Sequence, residues 1–299
     1  MQGMTEGMTV VTVTAAAPRE TGRAAVLGSP IAHSLSPVLH RAAYADLGLT
    51  GWRYEAYEVD EASLPAFLAG TAASSSSSDE PWAGLSLTMP LKRAIIPLLD
   101  GISETARAVE AVNTVLFHED GSRTGANTDV PGLVAALAEC GVTEVASAAV
   151  LGAGATAAAT LAALSGMAKG GIDVYIRSRS RDIEIHTIAE ACGIEVRIRD
   201  WADAAQAFAA ELVVGTTPAG AADALAEHVP TDPGTLFDVL YHPWPTPLAA
   251  AWQAHGGKVL GGLDLLVHQA VLQVELMTGR SPAPLAAMRA AGEAALAER

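Results

Sequence analysis

A lysine and an aspartate lie in polar segments that could support proton transfer. Lys92 ends the run Ser86-Leu87-Thr88-Met89-Pro90-Leu91-Lys92, and Asp129 ends the run Asn127-Thr128-Asp129. Reduction of a ketone by hydride leaves an alkoxide, so a site for this reaction needs a proton donor and a group that holds the donor in place. Lys92 is the candidate donor, and Asp129 is the candidate carboxylate partner.

The elements around Lys92 place it at the end of a strand. An apolar run from Trp82 to Thr88 predicts a strand that ends at Met89-Pro90, because proline stops the ladder and restricts the residue before it. Ligands of parallel α/β sheets gather outside the carboxyl ends of strands, which favours Thr88 and Lys92 as ligand contacts. Earlier elements also have a strand, helix, strand pattern, over residues 24–28, 37–47 and 53–59.

A glycine-rich turn in the second half predicts a dinucleotide site. The run Gly152-Ala153-Gly154-Ala155-Thr156-Ala157 follows a predicted strand, 145–151, and begins a predicted helix, 155–166. The glycines allow a tight turn and a close approach of the backbone to a pyrophosphate, and the helix N-terminus offers free N–H groups. The cofactor contacts expected here are Gly152, Ala153, Gly154, Ala155 and Thr156. The alternative is a tight turn of small residues without a ligand.

Three arginines follow the next predicted strand, 172–176, in the run Arg177-Ser178-Arg179-Ser180-Arg181. Dinucleotide sites that take NADP place arginine in this region, whereas those that take NAD place an acid there. A guanidinium offers a planar fork of donors that suits a phosphate dianion. We therefore predict NADP(H) as the cofactor, bound through Arg177, Ser178, Arg179 and Arg181. Which arginine holds the phosphate stays open, and the alternative is a solvated charged loop.

Composition narrows the class of protein. The formal charge of −15 argues against nucleic acid or an anionic membrane surface as a partner. No run approaches the roughly 18 apolar residues of a membrane span. The two cysteines, Cys140 and Cys192, have no metal-ligand spacing and indicate reduced thiols in the cytoplasm. We expect a small-molecule substrate and no metal, with monomer and homodimer both open.

The length of 299 residues favours two domains. We expect a flexible leader over 1–22, a substrate-binding catalytic domain over 23–130, and a nucleotide-binding domain over 131–265. Alternation of strands and helices after residue 131 is typical of a doubly wound sheet, with further strands at 212–214, 236–240 and 258–260. Helices over 263–277 and 284–297 follow, and residues 266–299 are expected to return to the first domain. Ser74–Ser78 is expected to form a solvated loop.

Several segments together resemble the shikimate dehydrogenase family, from about residue 24 to about 290. The motifs that carry the resemblance are Ser34-Leu35-Ser36-Pro37, Thr88-Met89-Pro90-Leu91-Lys92, Ala111-Val112-Asn113-Thr114, Gly125-Ala126-Asn127-Thr128-Asp129, Asp238-Val239-Leu240-Tyr241 and Gly262-Leu263-Asp264-Leu265-Leu266-Val267-His268-Gln269. The resemblance implies an N-terminal α/β substrate domain, a Rossmann NADP-binding domain and a C-terminal helix that returns to the first domain. It also implies reversible NADP-linked reduction of 3-dehydroshikimate to shikimate, a step towards chorismate and the aromatic amino acids.

The same resemblance implies roles for individual residues. Lys92 and Asp129 are the catalytic pair and also contact the substrate. The other implied substrate contacts are Ser34, Ser36, Thr88, Asn113, Tyr241 and Gln269. Further implied cofactor contacts are Thr217, Val239 and Gly262. The segment Gly215-Thr216-Thr217-Pro218 departs from the family, which commonly has asparagine there.

Other interpretations remain open at this point. Ser34 and Ser36 could cap a helix that begins near Pro37, and Asn113 could be a turn residue. The alternative functions are a quinate and shikimate dehydrogenase that uses NAD, and a nucleotide-binding relative without catalysis.

Overall fold

The computed structural model describes residues 8–74 and 80–299, with the side chains of 72–74 left aside. The chain divides into two compact units, Met1–Thr128 with Val267–Arg299, and Asp129–Leu266. Most of the expected loop Ser74–Ser78 lies outside the described residues, and Ser74 itself ends a helix.

The first unit contains a mixed six-stranded sheet. Its strands are β1 (Thr21–Gly28), β2 (Gly51–Glu58), β3 (Trp82–Leu87), β4 (Gly101–Ile102), β5 (Thr114–Phe117) and β6 (Arg123–Ala126). Helices between the strands are α1 (Ser36–Asp46), α2 (Leu64–Ser74), α3 (Leu91–Ala94) and α4 (Glu104–Ala108). The strand order is β2-β1-β3-β5-β6-β4, and β1 is parallel to both β2 and β3. The strands expected at β1, β2 and β3 are confirmed.

An antiparallel hairpin, β5–β6, continues this sheet and was not predicted from the sequence. β5 pairs antiparallel with β3 on one side and with β6 on the other. Gly121, with a φ of 85°, lies in the turn between the two strands. The hairpin positions Asn113 just before β5 and Asn127 just after β6.

The second unit contains an all-parallel sheet in the order β12-β11-β10-β7-β8-β9. Its strands are β7 (Ala148–Leu151), β8 (Ile172–Ile176), β9 (Val196–Asp200), β10 (Leu212–Gly215), β11 (Thr235–Asp238) and β12 (Lys258–Leu260). Its helices are α5 (Asp129–Glu139), α6 (Ala155–Leu164), α7 (Asp182–Cys192) and α8 (Pro247–Ala254). Numbered along this unit, the order is 3-2-1-4-5-6, which is the Rossmann order. The expected doubly wound sheet is therefore confirmed.

β9 is an edge strand that the hydrophobic pattern does not reveal. Its residues alternate between half-buried and exposed, and two of them are arginines. Arg197 and Arg199 both bind the carboxylate of Asp173 on the neighbouring strand β8. Charged side chains on an edge strand also discourage pairing with another chain.

Two C-terminal helices complete the fold, α9 (Gly262–Thr278) and α10 (Leu285–Ala297). α9 belongs to the first unit from Val267 onwards, and α10 packs against α1 within that unit. The expected return of the C-terminal helix to the first domain is confirmed. None of the helices in the described part of the chain is both long and apolar enough to cross a membrane.

Residues 8–20 of the expected flexible leader lie along the first unit in the structure. Val11 N donates to Ile102 O at 2.9 Å, and Ala16 N donates to Leu276 O at 2.9 Å. The indole of Trp52 donates to Arg19 O at 3.1 Å. These contacts hold the segment by its backbone. No apolar periodicity in the sequence predicts them.

Two glycines with the same φ of 69° test this docking. A Cβ on Gly279 would lie 2.2 Å from Ala16 O, whereas a Cβ on Gly48 would meet nothing within 4 Å. The left-handed backbone alone makes alanine unfavourable by about 1–2 kcal/mol. We expect Gly48→Ala to lower the free energy of unfolding by about that amount and Gly279→Ala to lower it further. Urea unfolding measures both, and equal losses would contradict docking of residues 14–18.

Candidate functional site

The turn that carries Lys92 is held against the end of β1. Thr88 N donates to Leu27 O at 3.0 Å, and Ser29 N donates to Met89 O at 3.0 Å. Gly28 permits this approach, because a Cβ there would lie 2.3 Å from Thr88 Cγ2. Lys92, on α3, is half-buried.

Ser34 and Ser36 lie at the start of α1. Ser36 is buried, and its side chain hydrogen-bonds the hydroxyl of Tyr54 on β2. Ser34 Oγ accepts from Ser36 N at 3.3 Å, while Leu35, at the N-cap, has no side-chain cap bond. Ser34 therefore accepts from the backbone of the first helical residue, although neither serine is the N-cap of α1, and Ser36 turns inward.

A buried amide cluster, formed by Asn113, Thr128 and Gln269, lies beside the β5–β6 hairpin. Asn113 Oδ1 accepts from Thr128 N at 2.8 Å, and Asn113 Nδ2 donates to Thr128 Oγ1 at 2.9 Å. Gln269 Oε1 lies 3.4 Å from both Asn113 Nδ2 and Thr128 Oγ1. All three residues are at most 5% exposed. Asn113 is thus a buried hydrogen-bonding group, and the turn-residue interpretation does not account for its side chain.

The segments of Lys92 and Asp129 are each tied to the strand that begins after Asn113. Val112 N donates to Lys92 O at 2.8 Å, one residue before Asn113. Asn127 Nδ2 donates to Ala111 O at 2.9 Å, two residues before Asp129. Asp129 is buried, is the first residue of α5 and begins the second unit.

The glycine-rich turn of the second unit has the properties that a pyrophosphate requires. Gly152 has a φ of 118°, and a Cβ there would lie 2.5 Å from Thr216 Oγ1, so the turn needs glycine. Gly154 is the N-cap of α6 and offers no side-chain cap, and a Cβ on it would meet open space. The space beside Gly154 is open, and an open space at this position suits the approach of a ligand to the backbone. Ala157 is buried behind the turn.

The three arginines after β8 differ in their partners. Arg179 Nη1 lies 3.4 Å from Asp182 Oδ2, and Arg181 Nη1 lies 2.7 Å from Glu184 Oε2. Arg177 is exposed and has no hydrogen bond or ion pair within the described part of the chain. Ser178 caps the following turn by accepting from Ser180 N. Arg177 is therefore the guanidinium most available to an added anion.

The remaining expected contacts of the second unit lie after strands β10, β11 and β12. Thr217 is buried, and Val239 and Tyr241 are half-buried. Gly262 N donates to Leu240 O at 2.9 Å, and a Cβ on Gly262 would lie 2.1 Å from Val239 O. This contact requires glycine and leaves a side-chain-free surface at the start of α9.

Asp238 holds the loop that carries Val239 and Tyr241. Its carboxylate accepts from Leu240 N at 3.2 Å and from Thr246 Oγ1 at 2.7 Å. Thr246 in turn caps α8 by accepting from Ala249 N. Burial raises the pKa of the Asp238 carboxyl above its usual value.

Sequence reasoning missed the polar residues that support the amide cluster. These are Thr114 and Gln273, together with His40, Tyr54 and Ser86, all of them buried. One signal was available, because Gln273 follows Gln269 by four residues on α9 and so lies on the same helix face. In the described residues, no group of three His, Cys, Asp or Glu side chains could hold a metal ion.

Comparisons with known proteins identify the family. Residues 26–115 match the family model described as the shikimate dehydrogenase substrate binding domain, and residues 262–291 match the one described as the shikimate 5'-dehydrogenase C-terminal domain. A shikimate dehydrogenase (NADP(+)) from Oleidesulfovibrio alaskensis is 40% identical, over 89% of this chain and 92% of the relative. The chain belongs to the shikimate dehydrogenase family.

Solved structures of the shikimate dehydrogenase family have the same fold. The shikimate dehydrogenase of Mycobacterium tuberculosis is 39% identical with a TM-score of 0.81, covering 91% of this chain and 99% of that one. The Thermus thermophilus enzyme, in complex with NADP(H) and shikimate, is 34% identical with a TM-score of 0.77. That comparison covers 92% of this chain and all of the other, 100%.

The raised pKa of Asp238 makes the effect of its charge on stability depend on pH. A folded-state pKa above the unfolded value means that the native protein binds the proton more tightly, so the ionised carboxylate lowers stability above the folded pKa. This penalty disappears as the pH falls to the unfolded value near 3.8.

We expect Asp238→Asn to lose stability relative to wild type as the pH is lowered from 7 to about 4. The change cannot exceed about 1.4 kcal/mol for each unit of raised pKa. Urea unfolding at several pH values measures the difference, with Asp203→Asn, at an exposed residue, as the control. A stability of Asp238→Asn relative to wild type that stays constant or increases as the pH is lowered would contradict the burial argument.

Proposed function

We propose that this chain catalyses the reversible NADP-linked reduction of 3-dehydroshikimate to shikimate. The observation that carries the proposal is the buried amide cluster, since Asn113 and Gln269 form a fixed set of donors and acceptors beside the segment of Lys92. Such a set suits the hydroxyl groups of a small polar ring. A site that hydrogen-bonds a hydroxyl also rejects analogues that lack it. Membership of the shikimate dehydrogenase family supports the same function.

The residues of the second unit fit NADP(H). Gly152 permits the tight turn, Gly154 leaves the backbone open to the pyrophosphate, and Arg177 is available to the 2′-phosphate. Val239 and Gly262 offer a surface against which a flat nicotinamide ring can lie. When bound, the cofactor supplies or accepts the hydride.

Proton transfer is assigned to Lys92. Its ammonium donates a proton to the oxygen of the substrate ketone as that oxygen becomes negative, and it takes the proton back in the reverse direction. Asp129 accepts a hydrogen bond and so orients the group that exchanges the proton. Thr88, in the same turn as Lys92, is proposed to contact the substrate.

Binding of the substrate carboxylate is assigned to the start of α1. Ser34 and Ser36 are proposed to bind it through their hydroxyl groups, with the Ser36 hydroxyl exchanging Tyr54 for the carboxylate. Tyr241 is a further proposed contact. Asn113 and Gln269 are proposed to bind the ring hydroxyls, since each carboxamide can donate and accept.

Replacement of Lys92 separates catalysis from folding. General acid catalysis contributes about 10² to 10⁴ in rate, so we expect Lys92→Met to lower kcat at least 100-fold while NADP binding is kept. Oxidation of shikimate, followed by absorbance of NADPH, measures kcat. Lys169→Met is the matched control, because Lys169 is an exposed lysine paired with Glu144. Activity of Lys92→Met close to that of the control would contradict the assignment.

The arginine run determines the preference for NADP. A hydrogen bond to a charged group contributes about 1.5–3 kcal/mol, which is roughly a tenfold to hundredfold change in Kd. We expect Arg177→Ala to weaken NADP binding by that factor and to leave NAD binding nearly unchanged. Arg179→Ala, which removes an arginine already paired with Asp182, is expected to have a smaller effect. Isothermal titration with both cofactors tests this, and equal losses for NADP and NAD would contradict it.

The alternative of a quinate dehydrogenase that uses NAD predicts a different pattern of rates. Quinate oxidation faster than shikimate oxidation, or NAD turnover faster than NADP turnover, would favour it. We propose the cytoplasm as the location of the enzyme, and the monomer and the homodimer are both compatible with the site.

A further inference from the structure

Gln273 uses every hydrogen-bonding position of its carboxamide although it is almost fully buried, at 1% exposure. Its Nε2 donates to Asn113 O at 3.1 Å and to Thr114 Oγ1 at 2.9 Å. Its Oε1 accepts from Ser86 Oγ at 2.7 Å and lies 3.3 Å from His40 Nε2. A backbone carbonyl only accepts hydrogen bonds, so the atom that faces Asn113 O must be the nitrogen. The orientation of this carboxamide is therefore determined by its surroundings.

The contacts of Gln273 lead directly to the side chain of Asn113. Thr114 Oγ1 accepts from Gln273, so its own hydrogen is free for Asn113 Oδ1, 2.8 Å away. Asn113 Oδ1 thus receives hydrogen bonds from Thr114 Oγ1 and Thr128 N. With the oxygen held in this way, Nδ2 is directed to Thr128 Oγ1 and Gln269 Oε1.

At the Oε1 end of Gln273, aromatic residues determine the direction of the hydrogen bonds. Tyr54 OH donates to Ser86 Oγ at 2.6 Å, so Ser86 passes its own hydrogen to Gln273 Oε1. His40 stacks on Tyr54 with ring centroids 3.9 Å apart. Burial lowers the pKa of His40 to about 3, so the ring is neutral near pH 7 and its Nε2–H can donate to the same oxygen. All donors therefore point from the aromatic residues through Gln273 towards Asn113.

We propose that Gln273 is a positioning residue that, through the Thr114 hydroxyl, holds the Asn113 carboxamide in the orientation that contacts the substrate. Gln273 acts through Asn113, whose contact with Gln269 Oε1 is long, at 3.4 Å, and is the one that a substrate hydroxyl would replace. The contact of Asn113 with the substrate rests on the proposed function, whereas the orientation of Asn113 does not.

Two substitutions interrupt the path. Gln273→Met keeps the length of the side chain but removes its hydrogen bonds, and Thr114→Val removes only the hydroxyl that links Gln273 to Asn113. Thr278→Val is the matched control, because Thr278 is a buried threonine on α9 that bonds Val274 O and lies outside this chain of contacts.

Loss of one neutral hydrogen bond amounts to roughly a threefold to tenfold change in affinity. We expect Gln273→Met and Thr114→Val each to raise KM for shikimate by that factor while KM for NADP stays unchanged. The double variant is expected to be no worse than the more affected single variant, because both substitutions interrupt one path. Thr114→Ser, which keeps the hydroxyl, is expected to preserve KM, and Thr278→Val is expected to lower only stability.

A spectroscopic measurement reports on Asn113 without substrate. The chain has two asparagines, Asn113 and Asn127, so protein labelled with ¹⁵N-asparagine gives two side-chain NH₂ signals. We expect Gln273→Met and Thr114→Val to shift the Asn113 signal and to speed its hydrogen exchange. The Asn127 signal serves as the internal reference, and Thr278→Val is expected to shift neither.

The two measurements separate the possible failures. If wild type does not oxidise shikimate but the Asn113 signal moves, the proposed function falls and the positioning role stands. If wild type is active while folded Gln273→Met leaves both KM and the Asn113 signal unchanged, the positioning role is overturned. Additive effects of Gln273→Met and Thr114→Val on KM would also overturn it.

Discussion

A buried carboxamide must have partners for its hydrogens and lone pairs, and in the first unit this requirement centres on Asn113. An unsatisfied polar group in the interior is unfavourable by about 1–3 kcal/mol. The partners of Asn113 come from β5, from the segment after β6 and from α9, so these three elements must all be in place. A shift of β5 by one residue would turn Thr114 to the opposite face of the sheet. The substrate contacts assigned to Asn113 and Gln269 therefore depend on the register of the hairpin and on the docking of α9.

A different constraint operates in the second unit, where the backbone must be left uncovered. Gly152 is required by its φ and by the closeness of Thr216, and Gly262 is required by the closeness of Val239. Gly154 differs from both, because a Cβ on it would meet no atom of the protein. Its conformation and packing would tolerate a side chain, and the proposed pyrophosphate contact gives a reason to leave the space open. In the proposed function, affinity for the cofactor depends on main-chain groups at a helix N-terminus and on few side chains, Arg177 foremost.

The regular parts of the fold follow from local patterns in the sequence. β7, with the sequence Ala148-Ala149-Val150-Leu151, is buried throughout, as parallel strands covered on both faces are. β9 escaped prediction because its arginines pair with an acid on the next strand, which is a long-range contact. The β5–β6 hairpin escaped because β6, Arg123-Thr124-Gly125-Ala126, has no apolar run that would mark it as a strand. Family motifs supplied the candidate residues, since a lone lysine or asparagine has no local signature of its role.

Residues that support the site could not be predicted in the same way. Gln273 lies 187 positions from Ser86 and 160 positions from Asn113, and the contacts between them exist only after the chain has folded. The docking of residues 8–20 likewise rests on backbone hydrogen bonds that no side-chain pattern announces. Sequence patterns describe which faces are apolar, whereas polar networks depend on which faces meet.

The rate of NADP reduction by purified protein, with shikimate or quinate as the substrate and with NAD in parallel, tests the central claim most directly. We predict rapid NADP reduction with shikimate and much slower reaction with quinate or with NAD. Absence of turnover with shikimate under all conditions would contradict the assignment of this chain as a shikimate dehydrogenase.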